Sequence, residues 1–272
     1  VSAKTGVTVE RRAFTGWHQF VEQVRKPMSW DVAGQSTAER SYSWALGASY
    51  DDALKLATTG WAEGFKAVSL KAQAICKAHG GLDLSPRFAE SGDEVDVGLF
   101  LADEPECMVE YPMEPKQRPV VKIVVSASFS GGIAAEEIYN RGAAILAAID
   151  LLEGAGVRVE VDLDMGTETG RRQFIRTIPL KAANDALDRD KLAFAICHPA
   201  TLRRLIFRLH EQDGVDAFER MGGCQYGHPI NPAPQDGAIV INALTMSNEG
   251  EFRTMEQAQA FAERVLAEVS GD

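Results

Sequence analysis

Residues 119–132 read PVVKIVVSASFSGG, five β-branched side chains broken once by Lys122, then serines and a glycine pair. A near-continuous β-branched run marks a strand buried on both faces. After it Ile133, Ile138, Gly142, Ile145, Ile149 and Leu152 recur at roughly a helical period, and Gly154 to Gly156 close the helix. VRVEVDL (157–163) alternates as a half-covered strand does, and RQFIRTIPL (172–180) is its expected hairpin partner toward the sheet edge. A short helix is expected near Ala182–Leu187, then a third central strand over Leu192–Cys197. Pro199 opens a helix running to His210, at a position where proline is tolerated. A loop follows over 213–236, then a last strand, AIVINA (238–243), and a helix from Thr254, with Gln257 completing a capping box. Strands alternating with helices predict an α/β domain over 119–272. It is a three-layer, mostly parallel sheet with helices on both faces, 119–125 at its centre between 157–163 and 192–197.

Toward the N-terminus, residues 1–82 read as mostly helical. Phe14, Trp17, Phe20, Val21 and Val24 form one apolar stripe ended by Pro27; a short helix opens at Tyr50 and closes at Gly60; a longer one covers Ala62–Ala78. The aromatic load (Trp17, Trp44, Trp61, Phe14, Phe20, Phe65) predicts that this region packs on the sheet domain rather than standing alone. Residues 83–118 hold ten acidic and three basic residues, and prolines at 86, 105 and 112 exclude a continuous helix. They read as an acidic connecting segment with short strands at Val95–Leu101 and Cys107–Tyr111.

A net charge of -11 argues against a general nucleic-acid binder, since phosphate neutralisation needs clustered Lys and Arg. Arg203, Arg204 and Arg208 cluster on one predicted helix and Arg171-Arg172 precede a strand; both are expected on solvated surfaces. No apolar run is long enough to span a membrane, and Val1–Arg12 lacks the apolar core of a secretory signal, so a cytoplasmic protein with reduced thiols is expected. Cys76-x-x-His79 and Cys224-x-x-x-His228 have zinc-like spacings, but helix and loop placement favour cysteines as small hydrophobes.

Ligands of an open parallel sheet bind beyond the carboxyl ends of its strands. Those ends carry Ser126, Ser128 and Ser130 after the first strand, His198 after the 192–197 segment and Asn242 after the last strand. Neither a GxxxxGK[ST] nor a GxGxxG loop is present, so nucleotide binding has little support. A hydrolase reading would use Ser128 as nucleophile, His198 as base and Asp162 or Asp164 as the orienting acid. The Gly-x-Ser-x-Gly elbow that would strengthen it is missing.

The strand, the Ser126-Ala127-Ser128 loop, the long helix and the hairpin-like strand pair resemble a von Willebrand A-type domain over roughly 119–270. In that family the loop reads Asp-x-Ser-x-Ser and helps hold a divalent cation; here Ser126 stands in place of the Asp, and Cys197-His198-Pro199 stand where a second Asp is expected. The resemblance therefore implies a degenerate metal site. Thr59–Gly64 (TGWAEG), Asn140–Leu146 (NRGAAIL) and His198–Arg204 (HPATLRR) are similar to uncharacterised proteins of tailed bacteriophages and prophages. Together these imply a non-catalytic interaction protein with a protein partner. The alternatives are an enzyme using Ser128 and His198 or a bound metal, and a structural phage component.

Overall fold

The computed structural model of the chain describes residues 7–28, 36–37, 45–78, 87–92, 94–110, 120–154, 156–169, 171–213, 228–247 and 252–270. The main sheet contains β1 (Thr8–Ala13), β5 (Val120–Ser126), β6 (Arg158–Thr169), β7 (Arg172–Lys181), β8 (His228–Ile230) and β9 (Ala238–Ile241). A second sheet contains β2 (Arg87–Ala89), β3 (Glu94–Val95) and β4 (Met108–Glu110), with β4 in the middle. The helices are α1 (Trp17–Arg25), α2 (Tyr50–Thr59), α3 (Ala62–Ala78), α4 (Val97–Leu101), α5 (Ala135–Gly154), α6 (Arg189–Cys197), a π-helix (Thr201–Ile206), α7 (Phe207–Gln212) and α8 (Met255–Ser270).

The main sheet runs β1-β7-β6-β5-β9. β5 pairs in parallel with β6 and with β9, and β1 pairs in parallel with β7; the β6–β7 hairpin and the short β8, beside the far end of β6, are antiparallel. The sheet is thus mostly parallel and mixed. The expected central strand has β6 on one side, but its other neighbour is β9 rather than 192–197.

Leu192–Cys197 belongs to helix α6, not to a strand. A short apolar run has no period with which to choose between a buried helix and a buried strand. The deciding signal is Asp188, whose side chain caps the helix by accepting the Lys191 N–H (3.2 Å). Val95–Leu101 likewise divides, with Glu94–Val95 in β3 and Val97–Leu101 in α4, because Asp96 N-caps the latter through the Leu99 N–H (3.0 Å). Residues 182–187 form a turn instead of a helix, tied by the Ala182 N–H to Asp185 (3.2 Å). β1 has no apolar period because it is an exposed edge strand, TVERRA.

Helices α1, α2, α3, α5, α6, α7 and α8 and the π-helix share one continuous core with Ile123 and Val125 of β5, Val159, Val161 and Leu163 of β6, and Ile239 and Ile241 of β9. Strand side chains alternate between faces. The opposite face of the same strands carries the Lys122–Asp162 ion pair (2.7 Å) and Asp164, held by the Thr177 hydroxyl (3.1 Å). Among the described residues the helices that share this core therefore lie on one face of the sheet, not on both as expected. Phe14, Phe20 and Val24 lie in that same core, and Trp17 packs its ring against Phe20 and Phe194 (centroids 5.2 and 6.3 Å). The N-terminal helices and the sheet domain are one packed body. None of the described residues of 87–110 joins it.

α5 is buried on nearly every side, and α6 lies against it. The approach is set at Gly142, where an added Cβ would lie 2.1 Å from the Cys197 sulfur and 2.9 Å from its Cβ. In a helix Gly→Ala ordinarily gains about 1 kcal/mol. Gly142→Ala should instead destabilise the chain by roughly 1–3 kcal/mol through overpacking. Urea unfolding checks the sign, and Cys197→Ala in the same chain should restore part of the loss.

Candidate functional site

The carboxyl ends of β5 and β9 meet at an interruption in the sheet. Parallel pairing runs to Val125 opposite Ile241, then resumes at Phe129 opposite Leu244, so one extra residue stands on the β5 side. Leu244 N–H donates to Ser128 O (3.0 Å) and Ser130 N–H to Leu244 O (2.9 Å) beyond the gap. Inside it, Arg141 Nη2 donates to both Ser126 O (3.0 Å) and Asn242 O (2.8 Å), and the Asn231 side chain accepts the Ala243 N–H (3.1 Å). Arg141 comes from α5, is 2% exposed and has no carboxylate partner among the described residues. Burial pulls its pKa down to about 10. The neighbouring Cys197 thiol is pushed up to about 12, again by burial, and stays protonated.

The serines serve the same junction. Ser126 Oγ accepts the Ser128 N–H (3.2 Å), the buried Ser128 Oγ donates to Gly166 O (3.3 Å), and Ser130 O accepts the Ile133 N–H (3.2 Å), turning the chain into α5. His198 sits elsewhere in the bonding pattern: its Nδ1 accepts the Ala200 N–H (3.0 Å), and its ring lies between Trp61 (4.6 Å) and Phe194 (5.3 Å). Asp162 pairs with Lys122, and Asp164, its pKa raised chiefly by burial, takes its hydroxyl donor from Thr177. Ser128, His198 and either acid are thus each bonded to different groups and do not form a relay. Asn242 contributes its backbone carbonyl, and its side chain is exposed at a groove between β9 and α8.

His228 is exposed on β8, where its backbone carbonyl accepts the Thr167 hydroxyl (3.0 Å). The side chains of Cys76, His79 and Cys224 lie outside the described residues, and among the described residues no three potential metal ligands come together. The arginines expected on a solvated face are in part interior. Arg203 is buried with its guanidinium 4.8 Å from the Phe129 ring centre and its pKa pulled down to about 9 by burial, while Arg204 donates to Ala48 O (2.9 Å) and Ser36 O (3.0 Å). They lie inward because the π-helix carrying them is enclosed on all sides. A cleft of about 410 Å³ between α1, α2 and the start of α6 has an apolar floor including Trp17 and Leu192. Its rim charges are partnered within the chain, Lys191 by Asp188 (2.7 Å) and Arg25 by Thr58 (3.3 Å).

The small sheet offers a different surface. Val97, Phe100 and Leu101 of α4, at i, i+3 and i+4, are 65, 62 and 79% exposed on one helix face, and Phe88 and Val95 are also exposed. Five residues are too few for a helix to persist alone. α4 is held at its start by Asp96 and at its end by Asp103 N–H to Phe100 O (3.2 Å) and Glu104 N–H to Leu99 O (3.1 Å). That is a Schellman closure, and Asp103 takes its left-handed position at φ 59°. Beside it, Phe88, Leu99, Asp96, Glu104 and Glu106 line a cleft of about 470 Å³. In sequence this surface was hidden within an acidic, proline-rich connector. The signal available was the i, i+3, i+4 spacing directly after a capping Asp.

The fold is that of a mixed α/β protein with a mostly parallel central sheet and helices packed on it. The chain belongs to the family described as Domain of unknown function (DUF7192), whose model matches residues 2–268 and so spans both sheets. No curated protein and no solved structure matches it. Among the described residues no helix is long and apolar enough to cross a membrane.

Arg141→Met should cost roughly 2–4 kcal/mol, because two carbonyl acceptors lose a charged donor, partly offset by the relief of a buried charge. Hydrogen exchange at the Ser130 and Leu244 amides should accelerate more than at the β6–β7 hairpin; uniform acceleration would count against a local clamp. His198 and His210 titrate at about 4 and about 3 in the folded chain, since burial disfavours the imidazolium, with Arg176 adding to the effect at His210. Unfolded, both gain a proton near pH 6.5. Between these values the unfolded state binds more protons, so stability falls as pH drops from 7 toward 4, by on the order of a few kcal/mol. Asp164, with a raised pKa, opposes this in direction. Melting curves at pH 7, 5.5 and 4.5 should show a progressive fall, and a flat profile would contradict it.

Proposed function

We propose that this chain is a non-catalytic interaction protein whose contact surface is the small sheet with α4. The observation that carries the reading is the exposed apolar face Val97, Phe100 and Leu101, on a helix capped at both ends. A rigid helix that turns its large apolar side chains into water contributes nothing to the main core, and such patches mark protein-binding sites. Pre-capping also lowers the ordering cost of binding. The inward engagement of Ser128 with Gly166 O and of His198 with Ala200 N–H supports the same reading over a hydrolase, since neither side chain is presented to a substrate by the other.

If the face is a docking surface, Phe100→Ser combined with Leu101→Ser should leave the melting temperature within about 2 °C of the parent, as expected for exposed positions. The same variant should lose most of the binding of the uncharged apolar dye Nile red seen with the full chain. A large fall in melting temperature would mean that these side chains are structural, and the reading would be abandoned.

A further inference from the structure

We propose that the small sheet binds a basic, amphipathic protein segment, whose large apolar side chains seat on Val97, Phe100 and Leu101 while flanking Lys or Arg side chains meet Asp96, Glu104 and Glu106. This rests on the reading of the small sheet as a docking surface and adds the chemistry of its partner.

The charge around the ridge is predominantly acidic, with Arg87 of β2 the one basic residue of 87–110. Glu90, Glu104 and Glu106 are exposed, Asp96 is half-exposed, and among the described residues no lysine or arginine pairs with any of them. Some acids of the main body are partnered, as Asp150 is by Arg189 (3.1 Å) and Glu136 is by Lys71. Carboxylates without a cationic partner beside exposed apolar side chains complement a segment carrying both apolar and cationic groups. The cleft of about 470 Å³ fits one such side chain closely in kind: Phe88 and Leu99 supply apolar walls for an aliphatic stem, and Asp96, Glu104 and Glu106 stand near its cationic end. The Phe88 ring adds a favourable face for a guanidinium or ammonium group.

The same charge disfavours the other occupants. Two copies meeting through this face would bring like carboxylates together in a chain already at -11. Nucleic acid and anionic lipid surfaces are repelled for the same reason.

The test is selection of random twelve-residue peptides displayed against the full chain, with counter-selection against Phe100→Ser/Leu101→Ser. Enriched peptides should carry two or more large apolar residues at i, i+3 or i+4 spacing, flanked by several Lys or Arg. A synthetic representative should bind the chain at least tenfold more weakly after Glu104→Lys/Glu106→Lys, with an intermediate loss after Glu104→Gln/Glu106→Gln, and should weaken between 50 and about 500 mM salt. Enrichment of neutral or acidic peptides that still need Phe100 and Leu101, or indifference to both charge variants, would overturn the basic partner while leaving the docking surface standing. Failure to enrich any peptide that distinguishes the chain from Phe100→Ser/Leu101→Ser would overturn the docking surface as well.

Discussion

Arg141 and Gly142 are consecutive residues of α5, and they fix what lies on either side of that helix. Arg141 reaches the ends of β5 and β9 where their pairing lapses, and its guanidinium joins Ser126 O to Asn242 O. Gly142, lacking a Cβ, lets α6 approach until the Cys197 sulfur occupies the space a side chain would take. A buried cation without a carboxylate partner is costly. It is retained here at a point where two backbone acceptors converge from strands that are far apart in sequence. The serine loop, the entry to α5 and the return of β9 beside β5 all assemble around that one side chain. The strand ends, which in open α/β sheets hold ligands, are here occupied by the protein's own arginine.

Much of the fold was legible in the sequence. The β-branched run at 120–125, the helical period through Ile138, Ile145 and Ile149, and the alternation of VRVEVDL each carry a strong local period, and each element forms where that period places it. Where the period was absent, reading failed. LAFAIC is apolar throughout because α6 is enclosed, and enclosure erases the difference between a period of 2 and one of 3.6. β1, TVERRA, is exposed along nearly its whole length because it is an edge, which erases the period from the other direction. The face on which the core helices lie could not be read from the alternation of elements, which does not say to which face each helix returns.

The serines at the strand end read as ligand-binding candidates, and their inward engagement was not legible. Arg141 could have been found. It lies three residues after Ile138 and four before Ile145, on the buried stripe itself, where a charge needs an interior purpose. The docking face was obscured differently. Proline and acid density made residues 83–118 look like a tether, and the apolar spacing of Val97, Phe100 and Leu101 became meaningful only once Asp96 was seen to start a helix. Short capped helices carry their information in the caps, and a periodicity search over longer windows passes over them.

β1 closes the sheet from the opposite end of the chain: Thr8 pairs with Arg172, and Ala13 with Thr177. During synthesis β1 emerges well before β7, the strand it must pair with. Loop closure of that length is entropically costly and slow to find. Until then α1 holds Phe20 and Val24, fully buried in the finished protein, without the sheet that covers them. The nascent chain therefore carries the apolar residues of α1 uncovered until β7 has been made.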